Sequence, residues 1–380
     1  MPSPVQSAVP LHCQVRARRE ALHLRSGELA AQCGITRQAL HSIETGVYAP
    51  NTVVSLRLAQ ALSCRVEDLF TLVEDQVTAQ VLKPPPLDGS RVQLAWVGER
   101  LLAFPVSGEA GWGHPADGTI STPPGLPAGH VSVQLFTEQG LARRTAVLIG
   151  CDPSLGVASS HVGRQHPDTR LLWQSASSLQ ALKALARGEA HAAGIHLWDA
   201  RSGVSNLPFV QQELPGRRVH LYTLWSWEQG LLVARGNPHG ITGIKDLQRP
   251  ELRMVNRERG SGSRVLLDAW LAELELPPMA RRRLPGYHDE AQSHLDAAAQ
   301  VASGHAHVAP GPRSAAQALG LDFISLQTER FDLAVPDEHL THPAIAALLS
   351  VVQHPTFRAE IASLGGYDPS HAGEHWQTTS

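Results

Sequence analysis

The sequence predicts an all-α module of five short helices, then a small β-rich segment, then an α/β body. Three observations carry this. From Val15 to Phe70, apolar residues recur at helical spacing around ELAAQCGITRQALHSIE. Three consecutive prolines in LKPPPLDGS cannot continue a helix. From Thr145 onward, strand-like apolar runs alternate with amphipathic helical ones, the pattern of a parallel-sheet α/β domain. The boundaries read as 11–70 for the helical module, 71–90 for a linker, 91–144 for the β-rich bridging segment and 145–380 for the body.

In the helical module, Leu29 and Ala30 share an apolar face, Gly34 allows a sharp turn, and Ile35 tucks under it. Thr36 is placed to cap a helix over Arg37–Glu44, with Leu40 and Ile43 facing inward. Two helices joined by such a turn make a helix-turn-helix, whose second helix enters a major groove. The pieces ELAAQCGITRQALHSIETG, VYAP and LRLAQALSCRVEDLF resemble the Cro/repressor (XRE) type of helix-turn-helix domain. The resemblance implies that Arg37, Gln38 and His41 meet base edges and that Arg19 and Glu44 tie the first helix to the third. Ser42, Thr45 and Tyr48 are placed for phosphate or turn contacts, and Ser26 and Thr36, at the two helix starts, complete the DNA-facing set. Arg25 and Ser26 stand where the family has a small polar cap and then Gln, so Ser26 is expected to cap one residue late. Arg18 takes a usually apolar position.

The net charge of -3 excludes a nucleic-acid polyelectrolyte, but Arg16, Arg18, Arg19, Arg25 and Arg37 outweigh Glu20, Glu28 and Glu44 locally. The opening MPSPVQSAVP has no basic region followed by an apolar core, and no long apolar span follows. Cys13, Cys33, Cys64 and Cys151 show no CxxC spacing. A reduced, cytoplasmic protein with no membrane partner is expected.

RVQLAWVG and HVSVQLF alternate as strands around a loop rich in Gly and Pro. In the body TAVLIGC, TRLLWQS, HAAGIHL, HLYTLW, QGLLVARGNP, ELRMVN, HAHVAPG and LDFISLQTERFDLAVP read as strands. SSLQALKALARGEA, EAQSHLDAAAQVASG, the run after RGSGSR and HPAIAALLSVVQHPTFRAEIASLGGYD read as helices. RGSGSR carries the anion chemistry. Gly260 and Gly262 let backbone N–H groups approach a ligand, Ser261 and Ser263 add hydroxyls, Arg259 and Arg264 add charge, and the helix start favours an anion. The alternative is a capped turn. No Lys follows the second Gly, so this is not a phosphate-binding P-loop. GCDPSL and QSASS place Asp152, Ser154, Ser177 and Ser178 at strand ends beside a cleft. The 20 histidines lack HExxH or Cys/His ligand spacing and read as scattered structural or surface groups, with no metal implied. His196 and Tyr287 remain as groups that hydrogen-bond a ligand from the cleft wall. No catalytic constellation or cofactor fingerprint stands out, so no enzyme activity and no cofactor are expected.

GCDPSL, HAAGIHL, NRERGSGSRVLLD, GYHDEAQSHLDAAAQVASG, LGLDFISL and FRAEIASLGGYD together resemble the periplasmic-binding-protein-like domain fused to helix-turn-helix regulators. A similar domain is attached to molybdopterin-biosynthesis proteins. The resemblance implies two α/β lobes joined by crossing strands, with molybdate or tungstate in the cleft and a small organic anion as runner-up. His307 stands where that pattern is acidic. The expected function is a ligand-responsive, one-component transcription regulator. It would act as a homodimer on an inverted-repeat double-stranded DNA operator. A molybdenum-related cofactor-biosynthesis accessory protein or enzyme with a docking head is the alternative, and a transporter's solute-binding protein is the third.

Overall fold

The computed structural model describes residues 11–72, 76–82, 87–106, 113–123, 125–136 and 139–378. The first ten residues and the three prolines of the expected linker lie outside the described residues.

The head contains α1 (Val15–Ala21), α2 (Ser26–Cys33), α3 (Arg37–Glu44), α4 (Thr52–Ala61) and α5 (Val66–Leu69). Val15, Leu29, Cys33, Leu40, Ile43, Leu58, Leu62 and Leu69 form its core. Gly34 ends α2 at φ 70°, a left-handed conformation that suits glycine. The Thr36 hydroxyl accepts from Ala39 N–H and starts α3. Ser26 makes no cap; the Arg25 N–H is taken instead by the Glu28 carboxylate at 3.1 Å. Two short strands, β1 (Leu11–Cys13) and β2 (Phe70–Leu72), pair antiparallel and bring the ends of the head together.

Five strands between Gln76 and Leu135 build a closed barrel, ordered β3-β5-β4-β6-β7. Its strands are β3 (Gln76–Val81), β4 (Arg91–Val97), β5 (Arg100–Pro105), β6 (Gly118–Ser121) and β7 (His130–Leu135). The expected linker therefore contains a barrel strand. Around β3, burial has a period of two, with Ala79 and Val81 inward and Thr78 exposed, the pattern of a strand and not of a linker. The barrel is fused to the first lobe of the body. Ala95, Val97, Leu102 and Phe104 share one core with Val147, Ile149 and Leu172. Arg170 grips the buried Asp117 carboxylate with both terminal nitrogens, at 2.7 and 2.6 Å.

The body has two lobes built on a sheet ordered β16-β13-β17-β10-β8-β9. In the first lobe, β8 (Thr145–Gly150), β9 (Arg170–Ser175) and β10 (Ala192–Ile195) run parallel. All six residues of β8 are buried, as in a strand covered on both faces. β11 (Trp198–Asp199) and β12 (Val204–Ser205) make a small ladder beyond it. HLYTLW and QGLLV belong to one 15-residue strand, β13 (Val219–Val233). It pairs along its length with β17 (Asp322–Pro336), and these two strands cross between the lobes. The register shifts at Gln229/Gly230, where a Cβ on Gly230 would lie 1.9 Å from the Ile324 carbonyl oxygen. The second lobe adds β14 (Asn256–Arg257), β15 (Glu290–Ala291) and β16 (Val308–Pro312), with helices Gly262–Glu273 and His294–Ala302.

The closing helical run splits at Pro355 into Pro343–Val351 and Pro355–Ser363. Beyond it, β18 (Tyr367–Asp368) and β19 (His375–Gln377) lie along β13 as a strap. The buried Tyr367 hydroxyl meets Asp152 Oδ1 at 2.9 Å, Ser154 Oγ at 3.0 Å and, from the other lobe, Ser314 Oγ at 3.3 Å.

Candidate functional site

Two faces gather the polar chemistry. On the head, α3 presents Arg37, Gln38 and His41 to solvent, while Leu40 and Ile43 anchor its opposite side. These three, with Arg16, Arg19, Ser26, Glu44 and Thr45, line a depression of about 570 Å³. The Ser26 hydroxyl accepts from Arg37 Nε at 3.1 Å, which orients the guanidinium across α2. Arg19 donates to both Glu44 oxygens, at 2.7 and 3.2 Å, and ties α1 to α3. Thr45 and Ser42 donate back to the carbonyls of His41 and Gln38. Tyr48 is exposed beyond the end of α3.

The second face lies between the lobes. The start of helix Gly262–Glu273 presses onto His196: a Cβ on Gly262 would lie 2.0 Å from the His196 carbonyl oxygen and 2.3 Å from its ring. The Leu179 N–H donates to the Gly260 carbonyl across the same seam. Trp227 and Gln229 enter from β13 and Glu329 and Phe331 from β17. The His196 ring stands edge-on to Trp227 at 4.9 Å and lies 5.9 Å from the His294 ring.

This seam concentrates unpartnered donors. Seven buried side-chain polar atoms lack a partner among the described residues, and five of them belong here: Ser177 Oγ, His196 Nε2, Trp227 Nε1, Gln229 Nε2 and His294 Nε2. Such groups are costly unless something bonds them. His196 Nδ1 sits 2.9 Å from Glu329. Burial opposes its charge, but the Cys151 sulfur and the Glu329 carboxylate outweigh burial and raise its pKa to about 10. His196 is thus held as an imidazolium, with Nδ1 toward Glu329 and the Cys151 sulfur close to the ring. His294 goes the other way: burial, then Arg257 and His196, push it well below its ordinary value. Its Nδ1 accepts from Arg257 at 2.7 Å, because a guanidinium has no lone pair to offer, so the proton of the neutral ring is on Nε2. Cys151, His196 and His294 hold ligand-type atoms within 4.8 Å of one another. That tautomer nevertheless turns a proton, not a lone pair, toward the seam, and the buried Arg257 guanidinium stands behind it. The set suits an anion.

The expected ligand residues divide. Ser177, His196 and Gly262 meet at the seam, and Gly260 closes over Ser177. Ser263 donates to Gln229 Oε1 at 3.0 Å and leaves the amide NH₂ outward. Ser261 caps its helix by accepting from Arg264 N–H. Asp152 is consumed by Trp225, Tyr367 and the Ser154 N–H, Ser154 by Tyr367, and Ser178 by the His196 backbone. Arg259 is exposed and lines an outer pocket with Arg264 and Tyr287. Arg264 lies over the Tyr287 ring, whose hydroxyl donates to Asp268. Arg259, Arg264 and Tyr287 thus leave the seam. His307 accepts from the Arg253 N–H, also away from it. Sequence reasoning missed Cys151, Trp227, Gln229, Arg257, His294 and Glu329. A buried Gln in an apolar strand was the available signal.

Comparison with known proteins agrees with the two-part build. A family model described as PBP superfamily domain matches residues 159–353, and a helix-turn-helix model matches residues 15–69. The uncharacterized protein YvgK of Bacillus subtilis is 33% identical over 232 residues, spanning 61% of this chain and 73% of that protein. An HTH-type transcriptional regulator of Methanothermobacter thermautotrophicus is 40% identical over 62 residues, 16% of this chain and 90% of that protein. A phosphate ABC transporter substrate-binding protein from Clostridium perfringens, solved with bound phosphate, aligns at TM-score 0.46 and 12% identity, covering 59% of this chain and 98% of its own. Among the described residues no helix is long and apolar enough to cross a membrane.

Proposed function

The chain belongs to the periplasmic-binding-protein superfamily, and from that membership and its helix-turn-helix head we propose that it is a DNA-binding regulator controlled by a small anion held between its lobes. The observation that carries the anion is four unpartnered N–H and O–H groups, on Ser177, Trp227, Gln229 and His294, gathered with the His196 imidazolium at one seam and backed by a buried guanidinium. Molybdate and tungstate, suggested by the resemblance of the body, suit such a set because a fully ionised tetrahedral ion only accepts hydrogen bonds. Binding draws Gln229, on the crossing strand, and Ser177 and His294, from opposite lobes, onto one ion, which favours the closed arrangement. The head acts as one of a pair, since a single recognition helix reads few base pairs and half-sites lie about one turn apart. Light scattering of free and DNA-bound protein should return a homodimer; a monomer in both states would remove the pairing.

The test of the anion is calorimetry of the full chain against molybdate, tungstate, sulfate and phosphate, alongside Gln229→Ala and His294→Ala. Each substitution removes one charge-assisted or buried hydrogen bond, about 1.5–3 kcal/mol, so affinity should fall tenfold or more. Operator affinity of the parent should change when the tightest ion is added. Affinities unaltered by both substitutions would overturn the interlobe anion.

A further inference from the structure

Two donors of the seam, Trp227 and His294, also line a cavity of about 300 Å³ beside it. The rest of its wall combines carbon, from Pro153, Leu295, Ala315, Ala318 and Leu364, with three hydroxyls and the exposed Gln317 amide. Its hydroxyls are already engaged: Ser154 and Ser314 both bond Tyr367, whose own hydroxyl donates to Asp152. An apolar chamber thus adjoins a set of donors. This is the composition of a small-molecule site, where carbon walls hold the body and a few polar groups hold the head. A bare inorganic ion has no apolar surface to place in it, whereas a compact hydrocarbon body buried there is favoured in proportion to its area.

We propose that the ligand is an organic anion, with its charged head on the His294, Trp227 and Gln229 donors beside His196, and a compact apolar body in the adjoining chamber. This rests on the interlobe anion reading above and specifies the ligand class that reading takes. Long chains are disfavoured by the size of the chamber.

Titration calorimetry of the full chain with acetate, 3-methylbutanoate, benzoate and phenylphosphonate, beside sulfate and molybdate, tests it. Acetate has the head without the body, so benzoate or 3-methylbutanoate should bind at least tenfold tighter than acetate. Ala318 is exposed at the rim of the chamber, so Ala318→Trp fills it from outside the core and should remove that tenfold preference. Leu364→Trp serves as a second filling variant if the first fails to fold. Equal affinities for acetate and the larger acids overturn the proposal, as does binding of inorganic ions alone, binding of none of these anions, or a preference untouched by filling. The anion reading fails separately: Gln229→Ala and His294→Ala would then leave every measured affinity unchanged.

Discussion

The DNA face of the head and the seam between the lobes are built in opposite ways. The first comes mostly from one eight-residue helix, α3, whose reading side chains stand in solvent and whose hydroxyls bond their own turn. The second is assembled from segments as distant as Ser177 and Glu329, and its polar groups are almost wholly buried. Removing an exposed reader costs only the DNA contact. Removing a buried group also strands its partner without water, so stability and binding fall together.

Substitutions can break that contrast. The largest effect should follow His196→Ala, which leaves the Glu329 carboxylate, 4% exposed, without its counterion. Loss of one partner of a buried pair costs about 3–5 kcal/mol. Urea unfolding should show it, and a midpoint within error of the parent would mean that the pair is not closed off from water. Next comes Arg37→Ala with Gln38→Ala. Each bidentate base contact contributes about 1–3 kcal/mol of discrimination, so footprints should lose operator preference while the same urea curve stays within about 0.5 kcal/mol of the parent.

A pH series sharpens the comparison at the seam. The folded-state pKa of His196, about 10, lies above its ordinary 6.5. Its stabilisation is therefore full below pH 6.5 and is lost as pH rises from there through about 10. His191, buried beside His342 and His339, is instead lowered to about 3 and accepts from the Val147 N–H. Its contribution is lost as pH falls from 6.5 toward 3. The body should thus be most stable near pH 6.5, and His191→Asn should make the acid limb shallower, with the rest of it owed to His294, while leaving the alkaline limb unchanged in thermal scans. The smallest effect belongs to Arg259→Ala. This side chain is exposed and outside the seam, so ligand affinity should change less than threefold by calorimetry. A tenfold loss would return the outer pocket to the site.

The same contrast explains what could be read from the chain. The head was legible because its signals are local: Gly34 at a turn, Thr36 at a cap, Leu40 and Ile43 one helical turn apart. The Gly260–Ser263 stretch read as a loop that lets backbone approach a ligand, and in the fold Gly262 packs closely against His196. Its flanking Arg264 is carried by helical geometry around to Asp268 and Tyr287, away from Ser263, which spacing along the chain does not reveal. Spacing rules pass over histidines whose meeting depends on two lobes folding together, as His196 and His294 do. Trp227 and Gln229 read as core residues until the pairing of β13 with β17 decides which face they line. β3 escaped because a short strand next to a proline run offers only three inward positions.

The strap along β13 also bears on the order of events during synthesis. His220 bonds His375 at 2.8 Å across 155 residues of chain, and Tyr367 meets Asp152 across 215. While the ribosome is still translating the second lobe, Asp152 and Trp225 are already made, but the hydroxyl that joins them to Ser314 is not. Non-local pairings of this kind form late. The head, whose contacts span fewer than seventy residues, can fold and find DNA first. A newly made chain would therefore pass through an interval in which it reads an operator but does not yet respond to its ligand.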